Sequence, residues 1–258
     1  MKSNFLFTKM NHNLSLILSN LALTNAEQTT KNILWIYQEK GWCFVHFLYF
    51  ATIVLTELDQ EKSYSMQKIA FMAALRMGDF LLPDGIALKL LCKKYINKEL
   101  PNLNGTDFLP YFLSHIPWDE KVEILLYWWH DVVVQKAAQH ITSSFGHSVV
   151  SAQNGFVEFD WSSISKKEED TIRILLIGRG SPRQEIWAEN HRSKIESMEC
   201  LVFSVGGLLD FWSGSEKRAP NWMRRFKIEW LYRAISHPRK NLKKTLVSLK
   251  LVRFLIQK

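Results

Sequence analysis

Residues 172–195 read IRILLIGRGSPRQEIWAENHRSKI, and the change of pattern inside them decides the fold. Ile172 to Ile177 is a short, almost wholly apolar run, as expected of a strand buried on both faces. Gly178-Arg179-Gly180-Ser181 breaks it, and Pro182 to Ile195 then follows a helical period. Strand, glycine turn and helix in succession form the repeating unit of a parallel sheet.

Working outward, the unit recurs. Cys43 to Tyr49, Phe80 to Leu82, Val122 to Trp129, Ser148 to Ala152 and Leu201 to Val205 read as further strands. Helical patterns separate them at Asn25 to Glu39, opened by a Thr24/Glu27 capping box, at Glu57 to Met77, at Ile86 to Tyr95 and at Val132 to Ile141. The expected fold is α/β, with a doubly wound, mostly parallel Rossmann-like sheet over residues 1–216. From Pro220 onward only helical periods remain, Trp222 to Ile235 and Asn241 to Ile256, so residues 217–258 read as a helical appendage.

Charge separates the same two parts. Of 33 Lys and Arg, 13 lie in residues 217–258 with a single acid, Glu229, leaving 20 bases against 24 acids in the body. A basic, aromatic-bearing tail on a mildly acidic body points to a phosphate-bearing partner, an anionic membrane surface or a nucleic acid. No zinc finger, RNA-recognition signature or helix-turn-helix pattern supports nucleic acid. With 47% hydrophobic and 22% charged residues the chain is not disordered. Cys43, Cys92 and Cys200 lie far apart with no C-x-x-C pair, which argues for a reducing, cytoplasmic setting without a disulfide framework or cysteine-based zinc site. The apolar run Gly41 to Leu55, interrupted by His46, is too short to span a bilayer and reads as a buried strand. Lys2 and Lys9 ahead of Leu14 to Leu23 resemble a leader peptide, but Ser15, Ser19 and Asn20 interrupt the apolar region.

In an open parallel sheet, ligands bind beyond the carboxyl ends of the strands. Three polar turns occupy that position: Pro83-Asp84-Gly85, Gly178 to Glu185, and Gly206-Gly207. A dinucleotide fingerprint G-x-G-x-x-G is incomplete, because Arg183 stands at the third glycine, so no cofactor is expected. His46, His115, His130, His140 and His147 show no ligand spacing and read as structural or solvated, and Asn104-Gly105-Thr106 reads as a turn.

Taken together these residues resemble a family. G-R-G-S-P-R-Q-E (178–185), V-G-G-L-L-D-F (205–211), R-A-P-N-W-M (218–223) and E-W-L-Y-R (229–233) with Pro238-Arg239 are similar to consecutive signatures of the WecG/TagA/CpsF glycosyltransferases, glycosyltransferase family 26. Pro83-Asp84-Gly85-Ile86 and Asn104-Gly105-Thr106-Asp107 match the family's N-terminal motifs in the same order. The resemblance implies transfer of a sugar, N-acetylmannosamine-type or another hexose, from a UDP-sugar donor to a polyprenyl-diphosphate-linked sugar acceptor. It implies a peripheral location on the cytoplasmic face of the plasma membrane and a role in cell-envelope polysaccharide synthesis.

Inverting transfer needs a carboxylate to take the acceptor hydroxyl's proton and an anion-stabilising site for the departing UDP. Asp84, matching the family's base, suits the first role, although an aspartate N-cap of helix 86–95 gives the same sequence, and a helix N-terminus would hold its carboxyl low. With no D-x-D anywhere, no metal is expected. Gly85 leaves room for substrate, and backbone amides at Gly178, Gly180, Gly206 and Gly207, with Arg218, Arg224, Arg225 and Arg233, are expected to hold the diphosphate. Asn104 and Gln184 are expected at the substrate. Glu185 is either a substrate ligand or an exposed first-turn acid, and Asp210 either a ligand or a brace for the appendage. Trp222, Trp230 and Tyr232 read as a packing seam.

The chain also departs from the family pattern. Phe47 and Tyr49 stand where relatives carry Thr-x-Asn, Tyr127-Trp128 where a Gly-Gly loop is expected, and Asn102 or Leu103 in place of an Arg. These differences imply altered specificity or, alternatively, an inactive member serving as a binding or scaffold protein.

Overall fold

A computed structural model describes residues 12–58, 65–117, 119–226, 229–238, 245–247 and 250. Six strands form one sheet: β1 (Cys43–Tyr49), β2 (Phe80–Asp84), β3 (Lys121–Trp128), β4 (Ser148–Asn154), β5 (Thr171–Gly178) and β6 (Cys200–Ser204). Their order is β2-β1-β6-β5-β3-β4, and every pairing is parallel. All six are the strands read from the apolar runs, and those inside the sheet are mostly apolar because both of their faces are covered. β3, β5 and β6 are buried along nearly their whole length, whereas β4 at the edge is only half-buried.

The helices are α1 (His12–Ser19), α2 (Ala26–Lys40), α3 (Phe50–Leu55), α4 (Met66–Met77), α5 (Ile86–Tyr95), α6 (Gly105–Ser114), α7 (Asp131–Phe145), α8 (Arg183–Asn190), α9 (Arg192–Ser197), α10 (Leu208–Trp212), α11 (Asn221–Arg225) and α12 (Glu229–Ser236). They cover both faces. Ile124, Leu126, Ile174 and Phe203 pack with Phe108 and Phe112 of α6 and Val134 of α7, while Leu125, Tyr127, Leu175 and Val202 on the other face pack with Trp187 of α8 and Ile195 of α9. Low in the sheet, buried Arg173 of β5 donates from Nη2 to Glu123 Oε2 of β3 at 2.8 Å, fixing their register.

Several boundaries differ from expectation. The cap of α2 is Asn25, whose side chain accepts from Gln28 N at 2.9 Å; the Thr24 hydroxyl instead meets Thr29 Oγ1. The run Gly41 to Leu55 is a strand only to Tyr49 and then turns into α3, with Glu57 at φ 59 beyond its end. The helix expected from Glu57 therefore begins at Met66, where Ser65 caps it by accepting from Lys68 N. Pro182 to Ile195 is two helices meeting at His191, and Trp222 to Ile235 is likewise two, α11 and α12. Most of Asn241 to Ile256 lies outside the described residues.

The segment that resembles a leader is built into the fold. Leu14, Ile17, Leu18 and Leu21 pack with Phe71, Leu75, Leu81 and Leu88 around the β2 edge, and Ala22 N donates to Leu81 O at 2.8 Å. That coverage blunts an open sheet edge. Among the described residues no helix is long and apolar enough to cross a membrane.

Candidate active site

Four adjacent strands, β2, β1, β6 and β5, end at the same rim of the sheet and bring the three glycine turns into one row. Tyr49 pairs with Asp84, and Ser204, which leads into Gly206-Gly207, pairs with Ile177 beside Gly178. At about 4.8 Å per strand, the row from β2 to β5 spans roughly 14 Å. The rim is open: a Cβ added at Gly85, Gly180 or Gly206 would meet no atom within 4 Å.

Asp84 is the last residue of β2, and the α5 N-cap is Gly85, at φ 85 and ψ 155 and without a side-chain capping bond. That backbone conformation suits glycine alone. The capping reading of Asp84 is therefore overturned, and so is the low carboxyl expected from it. Burial pushes the carboxyl up to about 6; the Arg233 cation opposes this, while the negative charges of Asp107 and Glu229 add to it. A carboxylate of that basicity is poised to exchange a proton near neutral pH.

Gln184 and Glu185 are buried, which removes the exposed first-turn reading of Glu185. Gln184 ties two turns together. Its Nε2 donates to Ser204 O at 3.0 Å and to Glu185 Oε1 at 2.9 Å, and its Oε1 accepts from Gly206 N at 3.1 Å. Glu185 Oε2 accepts from Ser181 Oγ at 2.9 Å, so the pair fixes the Gly178–Ser181 turn against the Gly206–Gly207 turn. Burial pushes the Glu185 carboxyl up to about 7, opposed by these hydrogen bonds.

Asn104 caps α6 rather than forming a free turn: its Oδ1 accepts from Asp107 N at 3.0 Å and from Thr106 Oγ1 at 2.6 Å. Arg218 spans from this cap to the tail, donating to Asp107 Oδ1 at 2.7 Å and to Glu229 Oε2 at 3.2 Å. Arg233 lies over Phe211, its Nη2 3.4 Å from buried Glu216, and the same nitrogen is 3.2 Å from where a Cβ on Gly207 would lie. Asp210 Oδ2 is 3.5 Å from that point, so Asp210 and Arg233 both border the Gly206–Gly207 turn. Arg224 and Arg225 face outward, Arg224 donating to Asn221. The packing-seam reading fails for Trp222 and Trp230, which are 58% and 43% exposed. Among the described residues no three His, Cys, Asp or Glu gather as metal ligands. His46 is buried against Ser204 Oγ, and burial pushes it down to about 3.

The motifs of the glycosyl transferase WecG/TagA/CpsF family match residues 20–258, covering the sheet, the rim and the tail. The chain belongs to this family. Its similarity extends to proteins named N-acetylglucosaminyldiphosphoundecaprenol N-acetyl-beta-D-mannosaminyltransferase. That of Bacillus spizizenii is 27% identical over 176 residues, 67% of each chain. Those of Bacillus subtilis and Staphylococcus aureus are 27% and 23% identical, covering 65% of each chain in the first case and 70% of this chain and 71% of the relative in the second.

Three of the residues that depart from the family pattern have packing roles. Phe47 packs edge-on against Phe108 and lies over Gly105 of α6. Tyr127 and Trp128 point to opposite faces of β3 and join the two cores, Tyr127 donating from Oη to Val157 O at 2.7 Å. Tyr49 is different, because it ends β1 within the row. Burial pushes its hydroxyl up to about 12, a hydrogen bond with Thr52 opposes this, and the charges of Glu185, Asp84 and Arg233 all act on it. Sequence reasoning treats Tyr49 only as a missing family residue; its place beside Asp84 at the end of an apolar strand is the available signal.

Proposed function

We propose that this family member is an inverting, metal-independent transferase that moves a hexose from a UDP-sugar to a sugar linked to a polyprenyl diphosphate, working on the inner face of the bacterial plasma membrane. The observation that carries the reading is Asp84: a carboxyl raised by desolvation to about 6 at the open end of the sheet, with no capping role. Its carboxylate takes the acceptor hydroxyl's proton as that oxygen attacks the donor's anomeric carbon, and UDP departs with its electron pair. Amides of the Gly178–Ser181 turn and of Gly207 face the diphosphate, whereas the Gly206 amide expected there is held by Gln184 Oε1; Arg233, whose charge reaches Asp84, offsets the negative charge on the leaving group. Arg218 holds the tail against the Asn104 cap and so helps complete the rim.

The relatives' printed activity supports an N-acetylmannosamine-type donor and an acceptor of the diphosphoundecaprenol class. Exposed Trp222, Phe226, Trp230 and Ile235 beside Arg224 and Arg225 support contact with an anionic membrane. The experiment is a screen of UDP-sugars against a polyprenyl-diphosphate-GlcNAc acceptor. Transfer from one of them that Asp84→Asn suppresses is expected; absence of transfer from every one, by a folded chain, favours the scaffold reading.

A further inference from the structure

Arg179 and Arg183 flank one ring. The Arg179 guanidinium lies 5.2 Å from the Tyr127 ring centroid and 5.3 Å from that of Trp129, and Arg183 lies 5.6 Å from the same Trp129 ring. Neither side chain has a hydrogen bond or ion pair among the described residues, and Arg179 Nε is buried with no acceptor. Other arginines on or bordering the sheet are engaged: Arg173 with Glu123, Arg192 with Glu189, Arg218 with Asp107 and Glu229, Arg233 with Glu216. A guanidinium partly buried without an acceptor lowers stability unless something else satisfies it. Stacking on two rings sets the direction of its forked donors, and the fork matches a phosphate's paired oxygens. Two unpaired cations at one place also raise the local positive potential.

Arg179 belongs to the Gly178–Ser181 turn at the β5 end of the rim, three strands away from Asp84. With the sugar at Asp84 and Arg233 beside Gly207, the nucleotide half of an extended donor reaches this end. Resting on the donor reading above, we infer that Arg179 binds the nucleoside-proximal phosphate of the nucleotide sugar, with Arg183 reinforcing its charge and Trp129 holding its plane. The two aromatics Tyr127 and Trp129 and the arginine of the turn thus form one anion-binding unit of this chain.

Calorimetric binding of uridine, UMP and UDP to the full chain tests it. Arg179→Gln is expected to weaken UMP and UDP at least tenfold and leave uridine unchanged. Trp129→Leu, which keeps the charge and removes the ring, is expected to weaken UMP by a smaller factor, and it serves as the test if Arg179→Gln fails to fold. UMP binding that neither substitution alters overturns the inference while leaving the donor reading intact, and an equal loss for uridine moves the contact to the nucleoside and overturns it too. A wild-type chain that binds none of the three overturns the donor reading and the inference with it.

Discussion

Trp128 and Gly178 are register partners at the carboxyl ends of β3 and β5, and the indole fills the space that a side chain at position 178 would need. A Cβ built on Gly178 would lie 1.3 Å from Trp128 Cζ3 and 1.4 Å from Cε3. The glycine that the sequence associates with phosphate approach is thus required first by packing. Where the family resemblance leads one to expect a Gly-Gly loop, this chain has an indole, and the adjoining strand accommodates it by having no side chain.

Gly178→Ala should destabilise the fold by about 1–3 kcal/mol or more, the cost of overpacking a closed core. Trp128→Leu should itself cost up to a few kcal/mol through lost burial. The two should not add, because the leucine removes the atoms that the alanine strikes. Urea denaturation of both singles and the double measures this, and a double mutant whose loss equals the sum would show that the two sites are independent.

Asp84→Asn should lower transfer by roughly 10²- to 10⁴-fold, the usual loss for a general base. Its stability should move the other way. Because the folded state holds the carboxyl up at about 6 against an ordinary 3.8, Asp84 favours folding fully only below pH ~4 and loses that contribution as pH rises through 6. The asparagine variant should therefore melt higher than wild type at pH 7.5 and alike at pH 4, while wild-type activity rises with pH through about 6. A variant that keeps more than about a tenth of its turnover would remove Asp84 from the mechanism.

The inner strands are legible in the sequence because burial on both faces leaves a mostly apolar run, as in Ile174, Leu175, Leu176 and Ile177 of β5, while the half-buried edge strand β4 shows only as the short stretch Ser148 to Ala152. Helix ends are less so. The start of α2 falls one residue later than the capping box implies, because Thr24 and Asn25 are both good caps and only the contact of Thr24 with Thr29 decides between them. Helix α6 is hidden, since Pro110 lies inside it and its Asn104 cap reads equally as a turn. At the rim, the motifs give each residue's position but not its partners. That Gln184 and Glu185 face inward, that Arg218 is held by Asp107, and that Arg179 Nε has no acceptor all depend on residues distant in sequence.

Glu185→Gln should separate the second raised carboxyl from the first. The folded state holds Glu185 at about 7 against an ordinary 4.5, so its contribution to stability is complete below pH ~4.5 and is lost as pH rises through 7. Melting temperatures from pH 5 to 8.5 should fall in the wild type and fall less in the glutamine variant, with the difference centred near 7. Parallel curves would show that Glu185 ionises without cost to the fold.

On the proposed mechanism EDTA should leave the transfer rate unchanged, because Arg233 and the glycine-turn amides would supply the counter-charge that a metal otherwise provides. A rate that collapses in EDTA and returns with magnesium or manganese would overturn metal independence.

The role of the tail is better tested by point substitutions than by truncation. Ending the chain near residue 216 would strip Arg233 from buried Glu216 and Arg218 from Asp107, and would uncover the surface beneath Ala219, Met223 and Ala234, so loss of function would be uninformative. Trp222 and Phe226, by contrast, are 58% and 71% exposed, and replacing both with serine should change folding stability by no more than about 0.5 kcal/mol each. If these rings enter the membrane interface, each contributes on the order of 1.5–3 kcal/mol when buried there, and a basic residue near an anionic leaflet adds about 1 kcal/mol. Wild-type protein should cosediment with anionic vesicles at low salt and detach at high salt, as screening weakens the arginine contribution. The double serine variant should stay in the supernatant at both, yet retain transfer to a short, water-soluble acceptor. Equal sedimentation of variant and wild type would remove these aromatics from membrane binding, and loss of activity on the soluble acceptor would place them at the catalytic rim instead.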